Sequence, residues 1–311
     1  HWWQNKNGDK SGLPNNFTWL EEDNVINTQN PRNTGKNITD IPSPYLNGYL
    51  DEFLQLGNVP LIETNRGCPF RCSFCTWGAA SKNIVRRFNL ETILKEVDYI
   101  GNMTRANNWI ICDANFGMLP RDIEIAKAIR SFKDTTGYPN KIHLYLAKNV
   151  TARNLEIADI LGDMIYPVMS LQSMEPEVLK NIKRDNISLD TYVQYHEKYQ
   201  KMGSETFSEL IVPLPGETFE SHISSLKKLG EFGTEIIFNH NLRMLPGAEV
   251  NSKKTRLKYK MRTKFRLIHG DSGIYKSPFG SVINAFEYEE SVRETESMSE
   301  QELYILRKLH F

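Results

Sequence analysis

A chain of 311 residues with 40% apolar side chains can fill a sizeable core, as one large domain or two modest ones. Lys plus Arg equals Asp plus Glu at 38 each, so net charge lends no support to a nucleic-acid partner. No run approaches the roughly 18 apolar residues of a membrane span, and the start, HWWQNKNGDKSG, lacks a signal-peptide core, which together predict a cytoplasmic protein.

The first 40 or so residues are polar and rich in Asn and Gly, and residues 1–55 read as a linker or N-terminal extension. Short apolar runs then alternate with helical patterns. Strands are predicted near Val59 to Thr64, Asn108 to Cys112, Ile142 to Ala147, Tyr166 to Leu171, Thr206 to Val212 and Glu235 to Asn239. Helices are predicted over Leu90 to Ile100, Arg121 to Lys133, Ala152 to Leu161, Leu189 to Met202 and Thr218 to Phe232, with a shorter one from Glu175. Strand–helix alternation argues for a parallel sheet with right-handed crossovers, an α/β fold whose core spans residues 56–245. Residues 246–311 form a C-terminal extension. There Ser299 and Glu302 make a capping box for a helix carrying Leu303, Leu306 and Leu309 on one face, and the chain stops at Phe311 without a C-cap, which reads as a truncated fragment.

Three of the four cysteines, Cys68, Cys72 and Cys75, fall within eight positions in ETNRGCPFRCSFCTWG. A disulfide scaffold needs more cysteines in a chain this size, and the cytosol keeps such thiols reduced. Structural zinc takes four protein ligands, and no second CxxC or HxxxH follows. A four-iron cluster on three thiolates leaves one iron open to a substrate. Zinc or an electron-transfer cluster remains the alternative. Cys112, in the strand WIIC, reads as a small buried hydrophobe rather than a fourth ligand.

CxxxCxxC with Phe74 just before its last cysteine resembles the signature of the radical S-adenosylmethionine (radical SAM) enzymes. The resemblance implies a [4Fe-4S] cluster on Cys68, Cys72 and Cys75, with S-adenosylmethionine (SAM) chelating the open iron by its amine and carboxylate. It implies reductive cleavage to a 5′-deoxyadenosyl radical that takes hydrogen from a substrate, fed by an electron donor such as flavodoxin or ferredoxin. The fold it implies is a partial (β/α)6 TIM-like barrel.

Chemistry in parallel barrels sits at the C-terminal ends of strands. Strand two ends in DANFG, where Asp113, Asn115 and Gly117 occupy the place of the family's amine-binding Gly-Gly-Glu-like segment, from which this sequence departs. Strand three ends at Lys148 and Asn149. In SLQS, Ser170 and Gln172 share one side of strand four, facing the ribose or carboxylate of SAM. Leu214 and Pro215, in VPLPGET, resemble the segment that passes the adenine, and Arg184 stands where the family often carries a SAM-contacting base. His240 and Arg243, in FNHNLRMLPG, are candidate substrate contacts along with Lys148; no residue is assigned as catalytic. Trp77 reads as a shield for the cluster, and Lys82, Arg86 and Arg87 as a solvated face or a contact for the electron donor.

IPSPYLNGYLDEFL, the cysteine segment, SLQSMEPEVLKNIKR and LRMLPGAEV together look like the cobalamin-dependent branch of the family, over roughly residues 41–250. That branch places a cobalamin domain upstream, and its Asp-x-His-x-x-Gly loop is not found here. The likeness implies methyl transfer through cobalamin in a longer protein. Cobalamin-free radical rearrangement, oxidation or C–C bond chemistry stays open, as does a non-catalytic iron–sulfur or zinc module.

Overall fold

A computed structural model describes residues 18–21, 24–27, 38–78, 84–148, 152–166, 168–203, 205–277 and 280–310. The chain divides into two units, residues 1–42 and 43–311. In the first, β1 (Thr18–Glu21) and β2 (Asn24–Asn27) form an antiparallel hairpin with Thr18 opposite Asn27, and a 3-10 turn follows at Ile38–Asp40.

The second unit opens with α1 (Asp51–Gln55), β3 (Leu61–Ile62) and the short antiparallel pair β4 (Asn65–Arg66) and β5 (Arg86–Arg87), which brackets the cysteine loop. Next come α2 (Leu90–Met103), β6 (Asn108–Ile111), α3 (Asp122–Thr136), β7 (Lys141–His143) and α4 (Ala152–Leu161). After these lie α5 (Pro176–Asn181), α6 (Leu189–Lys201), β8 (Phe207–Val212), α7 (Phe219–Glu231) and β9 (Ile236–Asn241). Local chemistry sets several boundaries. The Asn89 side chain accepts from Glu91 N at the start of α2, Ser188 caps α6, and Thr218 and Ser221 close a capping box on α7. Gly137, at φ 82°, ends α3 in the left-handed conformation that glycine reaches without a Cβ clash.

Apart from the short β4–β5 pair, the strand pairings described between residues 56 and 245 are parallel: β3 with β6, β6 with β7, and β8 with β9. Period two divides the two sides of each strand. Trp109 and Ile111 of β6 and Ser208, Leu210 and Val212 of β8 are buried, while Leu61, Tyr145 and Phe238 stay exposed on the opposite side. One large apolar cluster fills the space between strands and helices, joining Ile62, Trp109 and Leu210 to Ile93, Ile125, Ile157 and Tyr192.

Five of the six predicted barrel strands are regular strands. The fourth is a run with isolated parallel bridges to β8, Val168 with Phe207 and Gln172 with Leu210. Gln172 sits at φ 67°, and a left-handed residue breaks an extended ladder. Cys112 corrects the expectation of a core cysteine: it is exposed, because it lies on the opposite side of its strand from Trp109 and Ile111.

The C-terminal region adds α8 (Lys253–Lys258), a long antiparallel ribbon of β10 (Arg262–Lys276) and β11 (Val282–Glu294), and α9 (Glu300–Leu309). β11 extends the sheet past the end of β9: Val292 N donates to Leu242 O at 2.9 Å and Met244 N to Glu290 O at 2.8 Å. Both halves of the Ser299–Glu302 capping box form, and Leu303 and Leu306 are fully buried, whereas Leu309 is exposed.

Candidate active site

The cysteine loop leaves β4 at the C-terminal end of the sheet. Its backbone is pinned from two sides: Ser73 N donates to Ile182 O at 2.9 Å, and Val250 N donates to Ser73 O at 2.8 Å. Cys68, Cys72 and Cys75 all line one cavity of about 340 Å³. Phe70, Phe74, Trp77 and Tyr145 give its wall an apolar, aromatic character, and Asn115, Lys148, Ser170, Gln172 and Arg184 bring polar groups from the strand ends. Such a cavity, largely apolar with a few convergent polar groups, is the usual form of a small-molecule site.

The polar side chains are held around the thiols. Asn115, buried, donates Nδ2 to Cys68 Sγ at 3.1 Å, and its Oδ1 accepts from Lys148 N at 3.3 Å. Lys148 Nζ lies 3.7 Å from Cys72 Sγ and 3.9 Å from the centroid of the Phe70 ring. Arg184 places Nη1 4.0 Å from Cys72 Sγ, donates Nε to Asn186 Oδ1 at 2.8 Å, and donates Nη2 to the carbonyl of Ser170. Burial pulls the pKa of both cations down, and the neighbouring Cys72 offsets this only in part.

Gln172 is buried, and its Oε1 has no hydrogen-bond partner. Glu209, on β8, takes up the groups beside it: Ser170 Oγ donates to its carboxylate, Gln172 Nε2 donates at 3.4 Å, and His240 Nε2 lies 3.6 Å away. Burial raises the Glu209 pKa, but the bonds from His240, Ser170 and Gln172 outweigh it and hold the carboxylate below its ordinary range.

Of the other candidates, Asp113 and Gly117 are not part of the cavity wall and act one layer behind it. The buried Asp113 carboxylate accepts four bonds: Thr64 N at 2.7 Å, Asn65 N at 3.1 Å, Asn65 Nδ2 at 2.6 Å, and the Thr64 hydroxyl. Burial nevertheless pushes its pKa up to about 6. Gly117 has φ 90°, and a Cβ there would stand 2.7 Å from Asn154 Oδ1, so both backbone and space require glycine. Leu214 is fully buried against Val178, Ile182 and Leu242, a cluster on which Phe74 packs, and Pro215 O accepts from Asn181 Nδ2 at 3.2 Å. Arg243 pairs with Glu289 at 2.8 Å, and neither it nor His240 reaches the cavity wall. Asn149 and Lys82 lie outside the described residues.

Sequence reasoning overlooked Glu209, Tyr145 and Phe70. Glu209 had a signal: an acidic residue alternating with core positions on a central strand.

The donor set fits a cluster with SAM. Among the described residues no three His, Cys, Asp or Glu side chains converge on a single metal ion. A four-iron cluster instead takes one thiolate per iron, which suits three cysteines distributed around one cavity. The two cations suit the charge of three thiolates and a SAM carboxylate, and Gln172 Oε1 offers an acceptor to the SAM amine.

Comparison with known proteins agrees. Residues 62–229 match the Radical SAM superfamily. The chain is 36% identical over 236 residues to the cobalamin-dependent radical SAM methyltransferase TokK of Streptomyces tokunonensis, covering 73% of this chain and 34% of that protein. It is 34% identical over 273 residues to the 2-(S-pantetheinyl)-carbapenam-3-carboxylate methyltransferase of Streptantibioticus cattleyicolor, covering 85% of this chain and 39% of that one. The chain thus spans little more than a third of the length of these relatives. In fold it resembles the radical SAM methyltransferase TsrM of Kitasatospora setae, with a TM-score of 0.55 at 15% identity over 71% of this chain and 43% of that one.

Proposed function

The chain belongs to the radical SAM superfamily, and from that premise we propose that Cys68, Cys72 and Cys75 hold a [4Fe-4S] cluster in a protein that carries out cobalamin-dependent methylation. When bound, the reduced cluster supplies the electron that breaks a sulfonium C–S bond of SAM, yielding methionine and a 5′-deoxyadenosyl radical. The observation that carries this reading is the convergence of the three cysteines with Asn115, Lys148, Ser170, Gln172 and Arg184 on one cavity.

The chain's own residues do the positioning. Asn115 orients Cys68 and, through the Lys148 amide, ties the end of β6 to the segment after β7. Gln172 Oε1 accepts from the SAM amine, and Arg184 faces its carboxylate. Phe70, Phe74 and Trp77 keep water from the cysteines. Glu209, 3.6 Å from His240, takes up Ser170 and Gln172 of the cavity wall and so holds that wall in place. Methylation is favoured by the two methyltransferase relatives, one of them named as cobalamin-dependent. The proposed cleavage needs an external one-electron reductant, for which a small donor such as flavodoxin or ferredoxin is suited.

Anaerobic reconstitution tests the proposal. It should load about four irons and four sulfides per chain, and the dithionite-reduced protein should convert SAM to methionine and 5′-deoxyadenosine. Changing Cys68, Cys72 or Cys75 to Ala should remove most of the iron, whereas Cys112→Ala should retain it. Loss of iron in Cys112→Ala with one of the other three dispensable would overturn the ligand assignment.

A further inference from the structure

We infer that Lys148 is a positioning residue that sets the reduction potential of the cluster, by holding a fixed positive charge against Cys72. The inference rests on the cluster reading above and goes beyond it in assigning a task to a side chain outside the three ligands.

The geometry is specific. Lys148 follows the bridge between Phe116 and Leu146, so its backbone is fixed by the sheet. Its amide is tied to Asn115 Oδ1 at 3.3 Å, and Asn115 in turn donates to Cys68 Sγ. The side chain turns back over the loop between the first two cysteines. There its ammonium lies 3.9 Å from the Phe70 ring centroid, within cation–π range, and 3.7 Å from Cys72 Sγ. The ring fixes the cation by an interaction that needs no hydrogen-bond acceptor, leaving the N–H groups free to face sulfur. Among the described residues, no carboxylate forms an ion pair with Lys148, so its charge is not spent on an acidic neighbour. Arg184, 4.0 Å from the same sulfur, is the other charged group there. Its Nη2 and Nε are engaged by the Ser170 carbonyl and Asn186.

The charge balance gives the direction. A four-iron core alternates between 2+ and 1+ on accepting one electron from an external one-electron reductant, and three thiolates carry 3−. The ligated core therefore goes from net 1− to net 2− with no proton or leaving group involved. A neighbouring positive charge stabilises the more negative state. At this distance, in a site of effective dielectric about 20, one unit charge is worth about tenfold in the reduction equilibrium even after partial screening by solvent. SAM cleavage needs a strongly reducing electron, so such a cation makes the cluster easier to charge at the cost of some driving force.

The test is a redox titration of the reconstituted 311-residue protein without SAM, read by the electron paramagnetic resonance signal of the reduced cluster. Lys148→Met should disfavour reduction about tenfold, which is about 59 mV more negative for a one-electron couple. Lys148→Arg should keep the original midpoint within about threefold. Phe70→Leu, which removes the ring and leaves the charge, should hold full iron content and move the midpoint less than Lys148→Met does. A Lys148→Met protein with full iron and an unchanged midpoint overturns the inference. So does a variant whose SAM affinity falls while its midpoint stays, because Lys148 would then be a ligand for the SAM carboxylate. If Lys148→Met and Lys148→Gln both lose the cluster while Lys148→Arg keeps it, the charge acts in assembly and the redox assignment is wrong. An unsubstituted protein that builds no cluster fails at the earlier reading instead, which separates the two failures.

Discussion

Gln172 carries two marks of a side chain built to meet a ligand: a left-handed backbone at φ 67° and a buried carbonyl oxygen with no partner. A buried acceptor left bare costs about 1–3 kcal/mol, so the fold keeps it only where something else satisfies it. Gln172→Ala is expected to raise the SAM dissociation constant roughly ten- to a hundredfold, as a lost charge-assisted bond of about 1.5–3 kcal/mol requires, with iron content unchanged. Equilibrium binding to the reconstituted protein measures it, and unchanged affinity removes Gln172 from the site. Asp113 works differently. Its four donors come from Thr64 and Asn65, just ahead of the cysteine loop, so it fastens that loop to β6. Asp113→Ala strands those donors and should lower stability by about 2–5 kcal/mol, seen as a lower urea midpoint with unchanged slope. The sequence made Asp113 a candidate because it follows a strand, but a residue's position at a strand end does not say which way its side chain turns.

Periodicity made the elements legible where packing agreed with it. Helices α2 and α3 bury mainly apolar side chains, α6 buries Tyr192 and Tyr199 beside His196, and α7 buries Leu229 beside His222 and Ser225; the predicted spans of all four agree with the structure to within three residues. The fourth strand was over-read because its apolar run has no backbone ladder of its own beyond two bridges. The β10–β11 ribbon went unread although KFRLI and AFEYE alternate, since the alternation marks no buried side: Phe265, Leu267, Phe286 and Tyr288 all stay exposed. At the end of the chain, α9 packs Leu303 and Leu306 against Val212 and Phe219, and just past it His310 Nε2 stands 3.2 Å from His222 Nε2, whose Nδ1 lies 3.2 Å from the buried Glu217. Burial, then His222 and Arg307, pull the His310 pKa down to about 4. The unfolded chain binds this proton below about pH 6.5 and the folded one only below about 4, so stability should fall as pH drops through that window. The full linkage is near 3 kcal/mol; with His310 partly exposed, about 1–2 kcal/mol is expected. Asp113, raised to about 6, contributes with the opposite sign, so the His310 contribution is read as a difference: the gap in urea midpoint between the cluster-free protein and its His310→Leu variant should change in this direction between pH 7 and 4.

At the scale of the molecule, the three cysteines proposed as cluster ligands stood out because three thiols in eight residues are a local signal. The polar groups around them, Asn115, Lys148, Ser170, Gln172 and Arg184, could be named only as strand-end or family-resemblance candidates; that two of them stand against Cys72 was not legible, because Lys148 meets it across 76 positions and Arg184 across 112. Residues beyond 245 also proved to belong to the site's support: Val250 pins the cysteine loop and β11 extends the sheet. A cavity of about 340 Å³ is small for a corrinoid. The 311 residues should therefore form 5′-deoxyadenosine but no methylated product and bind cobalamin weakly, whereas a chain of the relatives' full length should hold it. Cobalamin titration followed by visible absorbance decides this, and tight binding by the 311 residues alone would refute it. The exposed Cys112 has a practical bearing on all these measurements. If Cys68, Cys72 and Cys75 bind iron as proposed, it is the thiol left for alkylation. Desolvation of its sulfur, together with Glu63 and Asp113, raises its pKa and keeps that reaction slow near neutrality. A maleimide spin label attached there at mildly alkaline pH would sit one residue from Asp113, a built-in probe whose mobility reports how firmly the end of β6 is held.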